Sequence, residues 1–270
     1  MNQKSFIIDV DKCTGCNLCV VACKDEHVDS AYVPWSKPQP EGGQFWMNVK
    51  PIERGTIPRV RMNFLPTMCQ HCEEAPCILA CPEGAIKTRD DGLVWIDGDI
   101  CTGCGDCQPS CPYDVIYKND DLNIAQKCTG CAHRVDEGEL PRCVDVCPHE
   151  AIIFGQADAV AGSLESLHPE YEAKPRVLWR GLPKPWITGS VLNASADEVV
   201  IGAYVKATNL MDGREFMTKS NEFGEFWLTD LTLNNDYRVN IFATGYYDFT
   251  TSVLLDSEQD IGFIELITAP

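Results

Sequence analysis

Apolar and polar positions keep two different rhythms along this chain of 270 residues. Beyond residue 186 they alternate in short runs, as in strands with one buried face. The candidate strands are Ile187–Leu192, Val199–Asn209, Glu225–Leu228, Tyr237–Ala243, Thr250–Leu255 and Ile261–Leu266. Asp212-Gly213, Glu222-Phe-Gly224-Glu225 and Gly245-Tyr246 separate them as turn formers. Strands so short and closely spaced predict a β-sandwich of roughly eighty residues.

Upstream the pattern is sparser. Ala85-Ile86-Lys87, Asp114-Val115-Ile116-Tyr117 and Ala151-Ile152-Ile153-Phe154 are short β-branched runs, each a candidate strand. Ala85–Arg89 and Leu93–Asp97 flank Asp90-Asp91-Gly92, a hairpin signal. Residues 156–179 read as a short helix followed by a strand, Lys174–Trp179. Residues 24–68 show little regular periodicity and form an insertion, suited either to packing or to presenting a partner surface. Arg180–Pro185 is a linker rich in turn formers. Two domains are expected, 1–180 with the insertion 24–68, and 186–270.

The candidate chemistry lies in the first domain. Sixteen cysteines fall into four groups of four: Cys13-x2-Cys16-x2-Cys19-x3-Cys23, Cys69-x2-Cys72-x4-Cys77-x3-Cys81, Cys101-x2-Cys104-x2-Cys107-x3-Cys111 and Cys128-x2-Cys131-x11-Cys143-x3-Cys147. Three groups end in Cys-Pro, at Pro82, Pro112 and Pro148. Three thiolates at intervals of three residues can wrap a loop around three corners of a cubane, and this spacing is that of bacterial-type [4Fe–4S] sites. Gly15, Gly103 and Gly130 sit inside Cys-Thr-Gly-Cys turns, where a permissive backbone lets amides approach sulfur. Zinc also takes Cys-x2-Cys, but it does not explain a third cysteine at x2 and a fourth at x3 before proline. A disulfide framework is not needed by a chain long enough to bury a core.

The motifs resemble those of two-cluster ferredoxins, in which the fourth cysteine of one group ligates the other group's cluster. That resemblance implies crossed sets: Cys13, Cys16, Cys19 and Cys147 (cluster A); Cys23, Cys128, Cys131 and Cys143 (cluster B); Cys69, Cys72, Cys77 and Cys111 (cluster C); Cys81, Cys101, Cys104 and Cys107 (cluster D). Spacing alone leaves other crossings open. The expected fold is α+β, a tandem interleaved ferredoxin-like domain for four [4Fe–4S] clusters followed by an all-β sandwich. In its glycine and aromatic pattern, from Gly189 through Gly202-Ala-Tyr204 and Gly224-Glu-Phe226 to Gly245-Tyr246, the sandwich resembles prealbumin-like and carboxypeptidase-regulatory-like domains.

Residues 1–180 as a whole resemble the iron–sulfur β subunits of the dimethyl-sulfoxide-reductase family of molybdenum and tungsten enzymes. Phe45-Trp-Met-Asn-Val49, Glu53-Arg-Gly-Thr-Ile-Pro-Arg59 and the appended sandwich narrow the likeness. They point to the small subunits of pyrogallol–phloroglucinol transhydroxylase and resorcinol-hydroxylase-like enzymes. The resemblance implies a chain without catalytic residues of its own. It would relay electrons between a large subunit carrying a molybdenum or tungsten bis-pterin and an external electron carrier. The substrates implied are hydroxylated aromatics. In the redox-neutral transhydroxylases the resemblance is to a small subunit with one degraded motif; here all four are intact, which suits net oxidation or reduction. A formate, nitrate or sulfur-compound oxidoreductase, or a purely structural partner, are the alternative expectations.

Charge and hydropathy remove other classes. The formal net charge is −18, which speaks against nucleic acid. No run of about eighteen apolar residues occurs, so no membrane-spanning helix is expected. The N-terminal Met1-Asn-Gln-Lys-Ser-Phe6 has no hydrophobic signal segment and no paired arginines. Cytoplasmic residence is therefore expected, with co-export on a partner's signal as the other route. His27, His71, His133, His149 and His168 form no Ser/Asp constellation, and His71 is expected to hydrogen-bond to backbone.

Overall fold

The computed structural model describes residues 3–196 and 198–270. They form two compact units, Met1–Ile52 with Asn63–Leu182, and Glu53–Met62 with Pro183–Pro270.

In the first unit, β1 (Ser5–Asp9) is buried along its whole length. The first cysteine loop joins it to α1 (Leu18–His27), at ten residues the longest helix among the described residues. Two ten-residue strands follow, β2 (Met47–Thr56) and β3 (Arg59–Met68), paired as a two-stranded hairpin. The short α2 (Pro76–Leu79) precedes a small antiparallel hairpin of β4 (Ile86–Thr88) and β5 (Val94–Ile96). The same motif repeats as α3 (Cys107–Ser110), then β6 (Tyr117–Asn119) paired with β7 (Ile124–Gln126). Helices α4 (Ala132–Asp136) and α5 (Arg142–Asp145) bracket the long gap of the fourth cysteine group. β8 (Ile152–Gly155) then runs antiparallel to β1, and β9 (Val177–Arg180) parallel to it. A strand flanked on both sides and covered on both faces favours apolar residues on both faces, which is why Phe6, Ile7 and Ile8 come as a continuous run rather than alternating, with polar Ser5 and Asp9 only at the strand's ends.

The second unit is a sandwich of two four-stranded sheets. One holds β10 (Ile187–Asn193) with β11 (Glu198–Val199), β14 (Glu225–Leu228) and β17 (Gln259–Leu266) as its partners. The other runs β13 (Glu215–Lys219), β12 (Tyr204–Asn209), β15 (Asn235–Phe242), β16 (Phe249–Leu255). Every second residue faces inward: Val205 and Ala207 on β12 and Tyr237, Val239 and Ile241 on β15 meet Ile187, Val191, Phe226, Leu228 and Ile264. Each buried aliphatic or aromatic side chain there contributes about 1.5–3 kcal/mol.

The structure departs from the sequence expectations at three places. No α-helix forms between 156 and 179; two 3-10 turns, Ala157–Ala159 and Pro169–Tyr171, stand in its place, because Gly162 at φ +98° and Pro169 interrupt any longer run. The expected strand Val199–Asn209 is broken by a turn at Ile201-Gly202, with Gly202 at φ +73°. The insertion 24–68 contains the β2–β3 hairpin, and its tip Glu53–Met62 groups with the second unit rather than the first.

That tip is anchored within the second unit by three arginines. Arg59 pairs with Asp260 and its Nη2 donates to Ser190 Oγ. Arg54 Nε donates to Glu258 at 2.7 Å. The Arg61 guanidinium lies 3.8 Å from the centre of the Trp227 ring, a cation–π contact. Among the described residues no helix is long and apolar enough to cross a membrane.

Candidate metal centres

The sixteen cysteines converge in the first unit as free thiols. Cys13, Cys16, Cys19 and Cys147 line one cavity of about 340 Å³. Cys69, Cys72, Cys77 and Cys111 line a second of about 340 Å³, and Cys81, Cys101, Cys104 and Cys107 a third of about 310 Å³. Cys23, Cys128, Cys131 and Cys143 form a fourth, fully buried group, in which the Cys23 and Cys143 thiols feel both Cys128 and Cys131.

The loops that carry these thiols are shaped by glycine and by amides turned toward sulfur. Gly103 holds φ +71°, and a Cβ there would stand 2.1 Å from the carbonyl oxygen of Asn123. Gly15, also at +71°, would press a Cβ to 2.4 Å from the Phe64 ring. Only glycine permits this close approach without displacing a neighbour. The tight turns aim backbone N–H groups at the thiols. Gly130 donates to Cys128 Sγ, Ala125 to Cys101 Sγ and Ala151 to Cys147 Sγ, all at 3.3 Å. His71 and Arg142 donate from their amides to Cys69 and Cys131 at 3.5 Å. Such bonds favour the anionic sulfur that a metal needs.

Without metal, several of these thiols resist ionisation. Burial, then the repulsion of neighbouring thiolates, pushes Cys19 and Cys72 up to about 12. Burial pushes Cys128 to about 12, with Cys69 the first neighbour to add to it. Cys23 and Cys143 go well above their ordinary value for the same reasons. Four thiolates around one dry volume need a cationic core to hold them, and an iron–sulfide cubane supplies it. The cysteine spacing and the four-cysteine linings fit a polynuclear core spread across each cavity.

The four groups form a series. Cys19 acts on Cys23, Cys69 on Cys128 and Cys77 on Cys107, so each group adjoins the next in the order A, B, C, D. Cys16 at one end and Cys104 at the other are exposed, while the second group is wholly buried.

Three side chains around the thiols complete the picture. His71 is fully buried and its Nδ1 accepts from the Val94 amide at 3.0 Å, as expected of a backbone-bonded loop histidine. Burial, then the nearby Lys127, holds it well below its ordinary pKa and therefore neutral. The sequence reading gave His27 no site and did not single out Lys127. His27 lies at the end of α1 with Nε2 3.7 Å from Cys131 Sγ, and burial with His133 beside it takes its pKa down to about 3. Lys127 is buried against Cys128, its Nζ donating to the carbonyls of Val94 and Cys128. The only signal for it was its place one residue ahead of a cysteine motif, which the exposed Lys12 shares.

Comparison with known proteins supports [4Fe–4S] clusters in the first unit. Models of a 4Fe-4S dicluster domain match residues 12–85 and 60–157, and a carboxypeptidase regulatory-like domain matches 186–263. The pyrogallol hydroxytransferase small subunit of Pelobacter acidigallici is 37% identical, over 98% of this chain and 100% of its own length. A subunit of the anaerobic dimethyl sulfoxide reductase of Escherichia coli K12 is 36% identical over 62% of this chain and 82% of its own. The arsenate respiratory reductase iron–sulfur subunit of Shewanella sp. ANA-3 is 31% identical over 63% and 90%. With cysteine-ringed cavities, dicluster models and a relative matched end to end, this protein belongs to the family of dimethyl-sulfoxide-reductase-type iron–sulfur subunits of molybdopterin enzymes.

Proposed function

We propose that this chain is the electron-transfer subunit of a molybdopterin enzyme acting on hydroxylated aromatics. It would relay electrons through four [4Fe–4S] clusters between a large molybdenum or tungsten subunit and an external carrier, in the cytoplasm. Cys13, Cys16, Cys19 and Cys147 hold the first cluster, and Cys23, Cys128, Cys131 and Cys143 the second. Cys69, Cys72, Cys77 and Cys111 hold the third, and Cys81, Cys101, Cys104 and Cys107 the fourth. The observation that carries this reading is the unbroken series of four four-thiol groups, exposed at Cys16 and Cys104 and wholly buried at the second group.

When bound, the clusters supply one-electron transfer, dividing a two-electron event into single steps. The chain's own part is to hold the thiolates ionised, aim amide N–H groups at sulfur and exclude water from the inner groups. Burial also keeps the reducible centres from reacting with solvent except at the two ends. The end-to-end match to a pyrogallol hydroxytransferase small subunit supports an aromatic substrate for the partner. The sulfoxide and arsenate enzyme subunits match only about two thirds of this chain, so a sulfur-compound role has less support.

The test is anaerobic co-expression with a candidate large subunit. The two should elute together, iron should approach about sixteen per chain of this subunit, and dithionite should bleach the visible absorbance. Freeze-quenched EPR after adding a trihydroxybenzene should show cluster signals changing within turnover. About eight irons, zinc, or signals indifferent to substrate would refute it.

A further inference from the structure

Lys127 is 2 % exposed, yet it carries an ammonium group in a region of the first unit built for anions. Two of its three donors are spent on the carbonyl oxygens of Val94 and Cys128. Among the described residues no carboxylate pairs with it. A buried cation without a counter-charge is unfavourable, and two carbonyl dipoles offset only part of that. The same side chain lines the cavity of Cys69, Cys72, Cys77 and Cys111. Four thiolates around an iron–sulfide core carry net negative charge, so this cavity offers the missing counter-charge. The corresponding positions of the first and third motifs hold the exposed Lys12 and Ile100, so the feature belongs to this one place.

We propose that Lys127 is the resident counter-charge of the cluster held by Cys69, Cys72, Cys77 and Cys111, and that it raises the reduction potential of that cluster. Reduction adds one electron to the core, and a fixed positive charge in a low-dielectric interior stabilises the more negative state. The cluster becomes an electron-holding station inside the relay rather than an equal member of it. Lys127 is a positioning and tuning residue; it touches no substrate. The inference rests on the proposal that these four cysteines hold a cluster.

The test is an EPR-monitored redox titration of the full chain, loaded anaerobically, as wild type, Lys127→Met, Lys127→Gln and Lys127→Arg. Cys72→Ser identifies which signal belongs to this cluster. The neutral variants should shift that signal's midpoint potential downward, leave the potentials of the two end clusters in place, and keep the wild-type iron content. Lys127→Arg should restore most of the shift. Full iron with an unmoved potential in both neutral variants overturns the inference. So does failure of both neutral variants to load this cluster while Lys127→Arg loads it, which would make the residue a scaffold. If Cys72→Ser changes neither iron nor any signal, the ligand assignment itself is wrong and the inference falls with it.

Discussion

Arg59 Nη1 donates to both carboxylate oxygens of Asp260, at 2.8 and 2.7 Å, across 201 residues of sequence. Both side chains are largely buried, at 10 % and 12 % exposure. The hairpin tip thus becomes part of the sandwich unit through a pair that neither segment could form alone. Arg54 pairs likewise with Glu258, and the two acids flank Gln259, the first residue of β17. Removing one member of a buried pair strands the other. Arg59→Met should therefore destabilise the second unit by about 3–5 kcal/mol. Trp186 and Trp227, both in that unit and both in contact with tip arginines, report the loss as a lowered urea midpoint of tryptophan fluorescence. Cluster content of the first unit should be unchanged.

Raised thiol pKa values make the iron-free protein sensitive to alkali. Burial and mutual repulsion move Cys107 and Cys128 from their ordinary 9.0 to about 12, and Cys77 to about 11. Between pH 9 and about 12 the unfolded chain has lost these protons while the folded one keeps them. The folded state then binds more protons, so its stability falls as pH rises through that window. Denaturation of the reduced, chelator-treated chain should show this fall. The iron-loaded chain, whose thiolates are already ionised and neutralised by metal, should show little of it. A flat profile for the iron-free protein would contradict the burial of its thiols.

Much of this was legible in sequence because the cysteine spacing and the β-alternation are local signals. The hairpin at Asp90-Asp91-Gly92 and the strand at Ile152 followed from such signals and are present. The β2–β3 hairpin was not legible. Its inner ends bury Met47 and Val49, but toward its tip the contacts are made by Arg54, Arg59 and Arg61, so no apolar period runs along it. β13 was missed for a related reason: as an edge strand it alternates only between exposed and half-buried positions, and Phe216 and Met217 stand side by side, so its sequence does not show the apolar–polar alternation of its neighbour β12. Lys127 could not be told from Lys12 by pattern, because burial of one and exposure of the other is decided by strands brought from elsewhere in the chain.

Gly103 gives a sharp local test of loop geometry. In Gly103→Ala the new methyl meets the Asn123 carbonyl, and the positive φ adds about 1–2 kcal/mol of strain. The Cys101–Cys104 turn cannot hold its shape, so about four irons per chain should be lost. Gly105→Ala is the control: φ is +89°, but the nearest atom lies 3.7 Å from its Cβ. It should share the strain without the collision and keep more of its iron.

Burial predicts how far the loss of one thiol spreads. Cys143 is buried in the same apolar core as Cys19, Cys69 and Cys128, together with Phe6, Ile8 and Trp179. Cys104 is exposed and lies outside the core clusters of buried residues. Cys143→Ser replaces a thiolate deep in that core with a weaker ligand, in a group adjoining two others. Loss of this cluster leaves an unfilled volume and deprives its neighbours of a packed wall, a cost of the kind that follows large-to-small core changes. Cys104→Ser perturbs a rim position that water can reach. Iron analysis after anaerobic purification should show Cys104→Ser losing no more than one cluster. Cys143→Ser should lose more than one and also lower the melting temperature of the first unit. Equal losses from the two variants would mean that the clusters assemble independently, and that the buried group does not hold the first unit together.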